Sequence, residues 1–542
     1  MQETSFKYQW KWAWRFAKPY RYQLLLYFLL EVVSLTLGLL FIWWSKRTID
    51  FAVTADTPQM KEALIFAVCS VVLGVGIGLY SGWLNERTRT LMLIRLQKDV
   101  IRTQMQATWG LVKNWHTGDI MVRVNTDCQE VVQVIGNSAI ASLVTVLRIL
   151  AATGFLWWMD PMLAVLLLAI CPLIVFSKVY FRRFRKLNQH LKQAESNLGN
   201  VVQENLRFRL SIRALNLGAL RWRKVDESQD AIYQMKMGVL NFSTVSRGLM
   251  NVVVNTGFLV TFAWGVYKLH AGAITFGTLS AFLQLVSRIQ GPVLVLMGFV
   301  PLFVRFRASL DRLNEILLTE QEEQVAPEYL ANIGQIELQG LSFRYEDKEV
   351  LNDLQATFVK GRPTAIVGAS GKGKTTLIRL LLSLLRPNKG NIWIDSNGHR
   401  VLLERKHRVN FAYVPQGDKL FSGTIRENLQ ITESPISEER MRVALTTACA
   451  LFVYDLPDGL DTVVGESGHG LSEGQAQRIA VARTLLRDCN VWLFDEVTSA
   501  LDPPTAAALT AQLLEAGKEK ILVFVTHDLA LADACSQTIL IR

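Results

Sequence analysis

Cysteine is sparse and unpatterned in this sequence. Its six cysteines (Cys69, Cys128, Cys171, Cys449, Cys489 and Cys535) are scattered over 542 residues with no C-x-x-C pair. That argues against a disulfide framework and a cysteine-based zinc site and leaves them as small apolar residues of cores and helices. Charge is also scarce, at 19% of residues, and acidic residues are outnumbered, which gives a net charge of +11. With half the chain hydrophobic and a mean hydropathy of +0.22, this excess does not point to nucleic acid. In membrane proteins Lys and Arg gather on cytoplasmic loops facing anionic lipid. The N-terminus lacks the form of a cleavable signal peptide. Lys7, Lys11, Arg15, Lys18 and Arg21 interleave with Trp10, Trp12, Trp14 and Phe16, a mix that suits a helix lying in the membrane interface.

Six apolar segments follow, each near the ~20 residues that cross a bilayer. They run from about Tyr22 to Trp44, Ala63 to Leu84, Ala139 to Met159, Met162 to Tyr180, Met250 to Tyr267 and Phe276 to Val304. Asp160-Pro161 makes a tight turn between the third and fourth. Trp43-Trp44 and Trp157-Trp158 sit where interfacial aromatics belong. The regions 85–136 and 181–249 are long, basic and poor in Gly and Pro, whereas the other connections are short with little Lys or Arg. The positive-inside rule puts both long regions and both termini in the cytoplasm. Both read as membrane helices that continue into the cytoplasm and return, with tips near Lys113–Asp119 and Arg209–Asn216.

Among the charges inside these spans are Glu31 in the first, Arg148 in the third and Arg288 in the sixth. Intramembrane charges face a cavity or a partner. One reading is a polar cavity wall that meets an anionic head group; the other is internal pairing, for instance Glu31 with Arg148.

After Val304 the character changes to a polar linker and then to alternating strand and helix from about Gly334. Strands are expected at Ile336–Leu338, Thr364–Val367, Phe411–Val414, Val491–Phe494 and Ile521–Val525, several nearly all apolar, as in a sheet covered on both faces. Gly368-Ala369-Ser370-Gly371-Lys372-Gly373-Lys374-Thr375 matches G-x-x-x-x-G-K-[ST], followed by Thr376 in an opening helix. Such a loop wraps backbone N–H groups round phosphates, reaches the β/γ-phosphates with Lys and ligates Mg²⁺ with the hydroxyl. Other polar residues fall at strand ends: Asp495 and Glu496, suited to Mg²⁺ and to polarising a water; Gln416, within reach of both; and His527, suited to a γ-phosphate. Ser472 and Gly474 open a second anion-binding helix start, with Gln475 beside them. One domain does not need two phosphate sites, so this one is expected to serve a neighbour's nucleotide.

With these motifs in order, and with Leu471–Gln475 and Ser499–Asp502 flanking Asp495-Glu496, the second half resembles an ATP-binding cassette (ABC) domain. The whole chain is similar to a half-size ABC exporter of the bacterial lipid and multidrug type. The resemblance implies an all-α six-helix transmembrane domain with long cytoplasmic helix extensions, followed by an α/β P-loop NTPase domain. The expected division is 1–312, a linker 313–333 and a cassette 334–542. It further implies that Tyr345 stacks on adenine, that Ser472 and Gly474 close on ATP held by another cassette, that the two tips are coupling helices, and that Gly465–Gly468 contacts them. Glu473 and Ala476 depart from the commoner residues of the signature, and a carboxylate near a γ-phosphate is unfavourable unless it points away. The short C-terminal extension usual in the family is not seen after Thr538–Ile541.

The resemblance implies ATP and Mg²⁺ as cofactors and a second copy of the chain, or a related half-transporter, as partner. It also implies membrane lipid and an amphipathic substrate (lipid, lipid-linked glycan, peptide or drug) as ligands, and the bacterial cytoplasmic membrane as location. The expected activity is ATP-driven export or flipping by an alternating-access dimer. An ATP-gated channel or a regulatory membrane ATPase is the alternative.

Overall fold

The computed structural model describes residues 6–112, 115, 117–170, 177–345, 348–369, 371–417, 420–431, 434–465 and 470–541. The chain divides into two compact units: Met1–Met105 with Trp115–Leu318, and Gln106–Asn114 with Thr319–Arg542.

The first unit is helical. Helix α1 (Phe6–Ala17) buries Gln9, Ala13 and Ala17 at a four-residue spacing, so one face is spent on packing inside the protein. A 3-10 turn at Lys18–Tyr20, opened by Pro19, leads to α2 (Arg21–Val53) and then α3 (Thr57–Gln106). The short α4 (Trp109–Val112) belongs to the second unit. Next, α5 (Thr117–Val122), α6 (Cys128–Gln133) and α7 (Ala139–Met159) form one run interrupted by five-residue π turns at Arg123–Asp127 and Val134–Ser138. Asp160 leaves helical geometry, and its Oδ1 accepts from the Met162 and Leu163 amides, both at 3.1 Å, to start α8 (Pro161–Ile170). The unit ends with α9 (Ser177–Arg207), α10 (Arg209–Ala214), α11 (Gly218–His270) and α12 (Phe276–Leu317).

Among the described residues, the helical runs Tyr8–Val53, Thr57–Gln106, Thr117–Met159 and Gly218–His270 are long and apolar enough to cross a membrane. The fourth predicted segment runs across residues 171–176, outside the described residues, and the sixth falls on α12. Near the first expected tip, α4 covers Trp109–Val112 and α5 opens at Thr117, while Lys113, Asn114 and His116 lie outside the described residues. Helix α12 runs to Leu317 because Leu310, Leu313 and Ile316 keep a helical spacing and are fully buried, so the predicted linker's first residues are helix. Around them a buried polar network ties α12 to the π turn: Ser309 Oγ donates to Asp127 Oδ1 (3.1 Å) and Glu130 Oε2 (2.7 Å), Arg312 binds Asp127, and Arg123 Nη1 pairs with Glu315 (2.7 Å).

The second unit is built on sheets. Strands β1 (Ile333–Tyr345), β2 (Lys348–Val359), β4 (Lys389–Ser396) and β5 (His399–Leu402) make an antiparallel sheet in the order β2-β1-β4-β5. Strands β3 (Thr364–Val367), β6 (Phe411–Val414), β9 (Val491–Asp495), β10 (Ile521–Val525) and β11 (Gln537–Leu540) make a parallel sheet in the order β11-β3-β10-β9-β6. A small pair, β7 (Gly423–Thr424) with β8 (Val463–Val464), completes the strands. The helices are α13 (Lys374–Leu381), α14 (Ile425–Leu429), α15 (Glu438–Thr447), α16 (Glu473–Leu485), α17 (Pro503–Ala516) and α18 (Leu529–Ala534). Every residue of β9 and β10 is buried, and Phe494 stacks on Phe524 with centroids 5.1 Å apart. Each such side chain contributes about 1.5–3 kcal/mol by leaving water, so the ends of these strands are held rigidly.

One buried histidine gives this unit a pH dependence. His407 is fully buried, its Nδ1 accepts from the Glu404 amide at 3.1 Å, and Nε2 lies 3.5 Å from Glu328 Oε2. Burial outweighs Glu328 and lowers its pKa below the usual value. The unfolded chain therefore takes up a proton at about pH 6.5 that the folded unit refuses. Stability is fully present above that pH and declines as pH falls towards the folded pKa, by at most ~1.4 kcal/mol per pH unit. Thermal unfolding followed from pH 7.5 to 5.5 should show this acid slope, and His407→Asn should flatten it; an unchanged slope in the variant would assign it to other groups.

Candidate functional site

The site lies in the second unit, where the parallel strands end. Strand β3 delivers Gly368 and Ala369; Ser370 lies outside the described residues. Gly371 and Lys372 follow, with the Lys372 side chain exposed. Gly373 caps α13 with φ +102°, and a Cβ there would sit 2.7 Å from Val350 Cγ1. Both the left-handed backbone and the lack of room require glycine. Lys374, nearly buried, turns its ammonium back into the loop, donating to the carbonyls of Gly368 (2.6 Å) and Ala369 (3.2 Å). The loop thus folds round a cation while Thr375 reaches Asp495 at the end of β9 and Thr376 is buried.

Strand β9 ends in the two carboxylates. Asp495 is buried, and its Oδ2 accepts from Thr375 Oγ1 and Tyr413 OH, both at 3.3 Å. Burial pushes its carboxyl above the usual aspartate range, and the Thr375 hydrogen bond only partly offsets this. Glu496 has φ +53°, a conformation that costs a non-glycine residue about 1–3 kcal/mol. Its neighbours hold it there. Its amide donates to the Val525 carbonyl (2.9 Å), and its carbonyl accepts from Gln477 Nε2 (2.8 Å) and Ser499 Oγ (2.9 Å). The turn throws the carboxylate out of the sheet: Oε2 accepts from Gln416 Nε2, and Oε1 lies 3.3 Å from His527 Nε2. The same Nε2 lies 3.0 Å from Lys374 Nζ. A neutral imidazole with its proton on Nδ1 accepts from Lys374, whereas one protonated on Nε2 donates to Glu496. His527 thus joins the loop lysine to the carboxylate, and its tautomer chooses between them.

The remaining candidates make their own local contacts. Tyr345, at the end of β1, packs edge-on against Phe343 at 4.8 Å, and its OH accepts from Arg379 Nη1 of α13 (3.3 Å). Ser472 is the N-cap of α16: its Oγ accepts from the Gln475 amide (3.2 Å) and Gln475 Oε1 accepts from the Ser472 amide (2.9 Å). A Cβ at Gly474 would lie 2.6 Å from the Ala500 carbonyl oxygen, so glycine lets the helix start approach Ser499–Leu501. Glu473 is exposed in the first turn of α16, where a carboxylate favours the helix dipole; this gives the departure from the commoner glycine a local reason. Glu466, Ser467 and Gly468 of the predicted contact loop lie outside the described residues.

Gln477 and Tyr413, which the sequence reading gave no role, position Glu496 and Asp495, as does Ser499, read there only as part of a flanking motif. The one signal was Gln477 itself, an amide on the inner face of a helix otherwise lined by Ala476, Ile479 and Ala480.

The residues Thr375, Asp495, Gln416, Glu496 and Lys374 fit a nucleotide with Mg²⁺. A hydroxyl and a carboxylate converge beside a loop that already cradles a charge, and Mg²⁺ takes one or two protein oxygens and completes its shell with phosphate and water. Accordingly, among the described residues no cage of three or more His, Cys, Asp or Glu is found.

In the first unit, Glu31 Oε2 lies 3.8 Å from Arg148 Nη2, and Ser81 Oγ donates to Glu31 Oε1 at 2.9 Å. The internal pair is therefore formed, while Arg148 Nε is buried without a hydrogen bond. Arg288 is exposed and lies against Gly38 of α2, where a Cβ would be 3.3 Å from Nη1. Glu31 and Gly38 are seven residues apart and share a face of α2.

Two family models match: ABC transporter transmembrane region over residues 24–293 and ABC transporter over 351–499. The ABC transporter ATP-binding protein YfiC of Bacillus subtilis is 26% identical, over 98% of this chain and 89% of its own length. The ATP-dependent lipid A-core flippase of Vibrio cholerae is 26% identical, over 78% of this chain and 74% of its own. Among solved structures, a bacterial Atm1-family ABC exporter with ATP bound superposes with a TM-score of 0.79 at 21% identity, covering 96% of this chain and 93% of that one.

Proposed function

Because the chain belongs to the ABC transporters, with the helical membrane region and the cassette both matched, we propose that it exports or flips an amphipathic substrate across the cytoplasmic membrane at the expense of ATP. The observation that carries this is the linkage of Lys374, His527, Glu496 and Gln416 beside Thr375 and Asp495.

In this reading residues 1–312 form a six-span membrane domain with the N-terminus cytoplasmic, 313–333 a linker and 334–542 a cassette of the P-loop NTPase fold. The tips near 113–119 and 209–216 couple the two, with Gly465–Gly468 as their contact. Lys374 binds the β/γ-phosphates with the amides of Gly368, Ala369, Ser370, Gly371, Lys372 and Gly373, aided by Thr376; Tyr345 stacks on adenine. Thr375, Asp495 and Gln416 hold Mg²⁺, which when bound neutralises charge on the phosphate oxygens. Glu496 accepts the proton of the attacking water, Gln416 orients that water, and His527 exchanges its contact with Lys374 for one to the γ-phosphate. Ser472 and Gly474, with Gln475, serve the nucleotide of a second chain. A second copy suits this best, since every residue needed for hydrolysis is present. A closed cassette pair biases the membrane half outward, and hydrolysis resets it.

The lipid A-core flippase among the relatives supports an amphipathic, anionic substrate class. Arg148, beside Glu31, and the exposed Arg288 are the proposed head-group contacts. Vesicles carrying the reconstituted protein should accumulate or flip such a lipid only with hydrolysable ATP; equal movement without ATP would end the transport reading. Arg148→Ala and Arg288→Ala should each reduce the stimulation of ATPase by an anionic amphiphile by about tenfold or more, at about 1.5–3 kcal/mol per charged hydrogen bond. Unchanged stimulation in both would remove these residues from the substrate path.

A further inference from the structure

We propose that the outward face of α1 binds the anionic head groups of bilayer phospholipids, and that occupancy acts on α12 through Gln9 and Trp10. The proposal rests on the reading of the chain as a membrane transporter. At 100° per residue, Gln9, Ala13 and Ala17 fall on one side of α1 and are buried. Lys11, Trp14, Arg15 and Lys18 fall at i, i+3, i+4 and i+7 on the opposite side, and all are exposed. Arg21 and Tyr22 continue that stripe into α2. Trp14 and Tyr22 are 71% and 70% exposed, so the stripe alternates cations with large amphipathic rings rather than with polar residues. A merely solvated face gains nothing from those rings, whereas an interfacial face does.

The charge on this stripe is unneutralised. There is no Asp or Glu from Phe6 to Leu30, and among the described residues no carboxylate pairs with Lys11, Arg15, Lys18 or Arg21. Elsewhere in the same unit Arg123 pairs with Asp119 and Glu315, Arg221 with Glu204 and Arg312 with Asp127. The stripe also runs directly into α2, the first apolar run long enough to span, which puts these cations at head-group depth. A phosphate-bearing lipid surface complements all of these features.

The buried side of α1 is fastened to α12. Gln9 Nε2 donates to Asp311 Oδ1 at 2.8 Å, and the Trp10 ring lies 6.3 and 6.4 Å from those of Phe303 and Phe306. Asp311 adjoins Arg312, which binds the buried Asp127 at the first π turn. Head groups that fix α1 therefore bias the cytoplasmic end of α12.

The test uses the full chain in nanodiscs of phosphatidylcholine with and without phosphatidylglycerol, reading spin-labelled phosphatidylglycerol binding and ATPase. Wild type should bind the anionic lipid in a salt-sensitive way and change its ATPase rate. Joint Lys11→Gln, Arg15→Gln, Lys18→Gln and Arg21→Gln replacement should weaken that binding at least about tenfold and bring the ATPase ratio between the two lipids to near one. Gln9→Leu should keep lipid binding but lose the ATPase response. Undiminished binding in the fourfold variant would overturn the site, and a retained response in Gln9→Leu would overturn the route to α12. Wild-type ATPase in phosphatidylcholine alone tests the transporter reading separately.

Discussion

Glu496→Gln is expected to lower ATP hydrolysis by about 10²- to 10⁴-fold, the worth of a positioned general base, while nucleotide binding is retained. The side chain is isosteric, so the contacts that pin the positive-φ backbone, from Val525, Gln477 and Ser499, all involve the main chain and survive. What is lost is the one carboxylate set between Gln416 and His527. Asp495 cannot substitute, because it is buried and already engaged by Thr375 and Tyr413. The measurement is steady-state phosphate release beside equilibrium binding of labelled ATP. Near-normal release in the variant would remove Glu496 from its role; loss of binding would mean that the substitution damaged the phosphate loop as well. Gln477→Leu provides a graded comparison. It leaves the carboxylate but frees the Glu496 carbonyl, so it should lower turnover with less effect on binding.

The contrast between these two residues explains what could be read from the sequence. Glu496 was visible because it ends a short, wholly apolar strand, and such runs in a sheet buried on both faces stand out. Thr364–Val367, Phe411–Val414 and Ile521–Val525 were legible for the same reason. Strands β2, β4 and β5 were not, because they are half-exposed and carry charge, and β2 and β4 pair with β1 through register shifts that break their alternation. The positive φ of Glu496 and its support by Gln477 depend on residues distant along the chain, and no local pattern encodes them. The two π turns were equally hidden, since one extra residue in a helical turn leaves the apolar spacing almost intact. In the membrane half the charges inside the spans were plain, but whether they paired was not. Only the geometry brings Arg148 to Glu31 and leaves Arg288 exposed against Gly38.

Mixing two inactive variants should restore activity. Lys374→Ala removes the ammonium that binds phosphate, and Ser472→Arg puts a bulky charge on an exposed helix cap. Each should silence ATPase in a pure preparation, for different reasons. The cap substitution costs about 1 kcal/mol of local stability, too little to unfold a unit whose core includes fully buried Phe358, Phe411, Phe494 and Phe524. If the loop at Gly368–Thr375 and the helix start at Ser472 of one chain formed a single site, a chain carrying either change would stay inactive whatever its partner. If instead each site joins the loop of one copy to Ser472 and Gly474 of another, a mixed dimer holds one doubly damaged site and one intact site. Random twofold pairing at equal amounts then gives about a quarter of wild-type ATPase when the sites act independently. Strict alternation between sites would lower this further, so the decisive comparison is with the sum of the two pure variants. Recovery above that sum requires a second copy of the chain in the site. Gly474→Val, whose Cβ would press on the Ala500 carbonyl, should behave as Ser472→Arg does in the same mixture. No recovery with either partner would mean that the anion-binding start of α16 does not serve a neighbour's nucleotide.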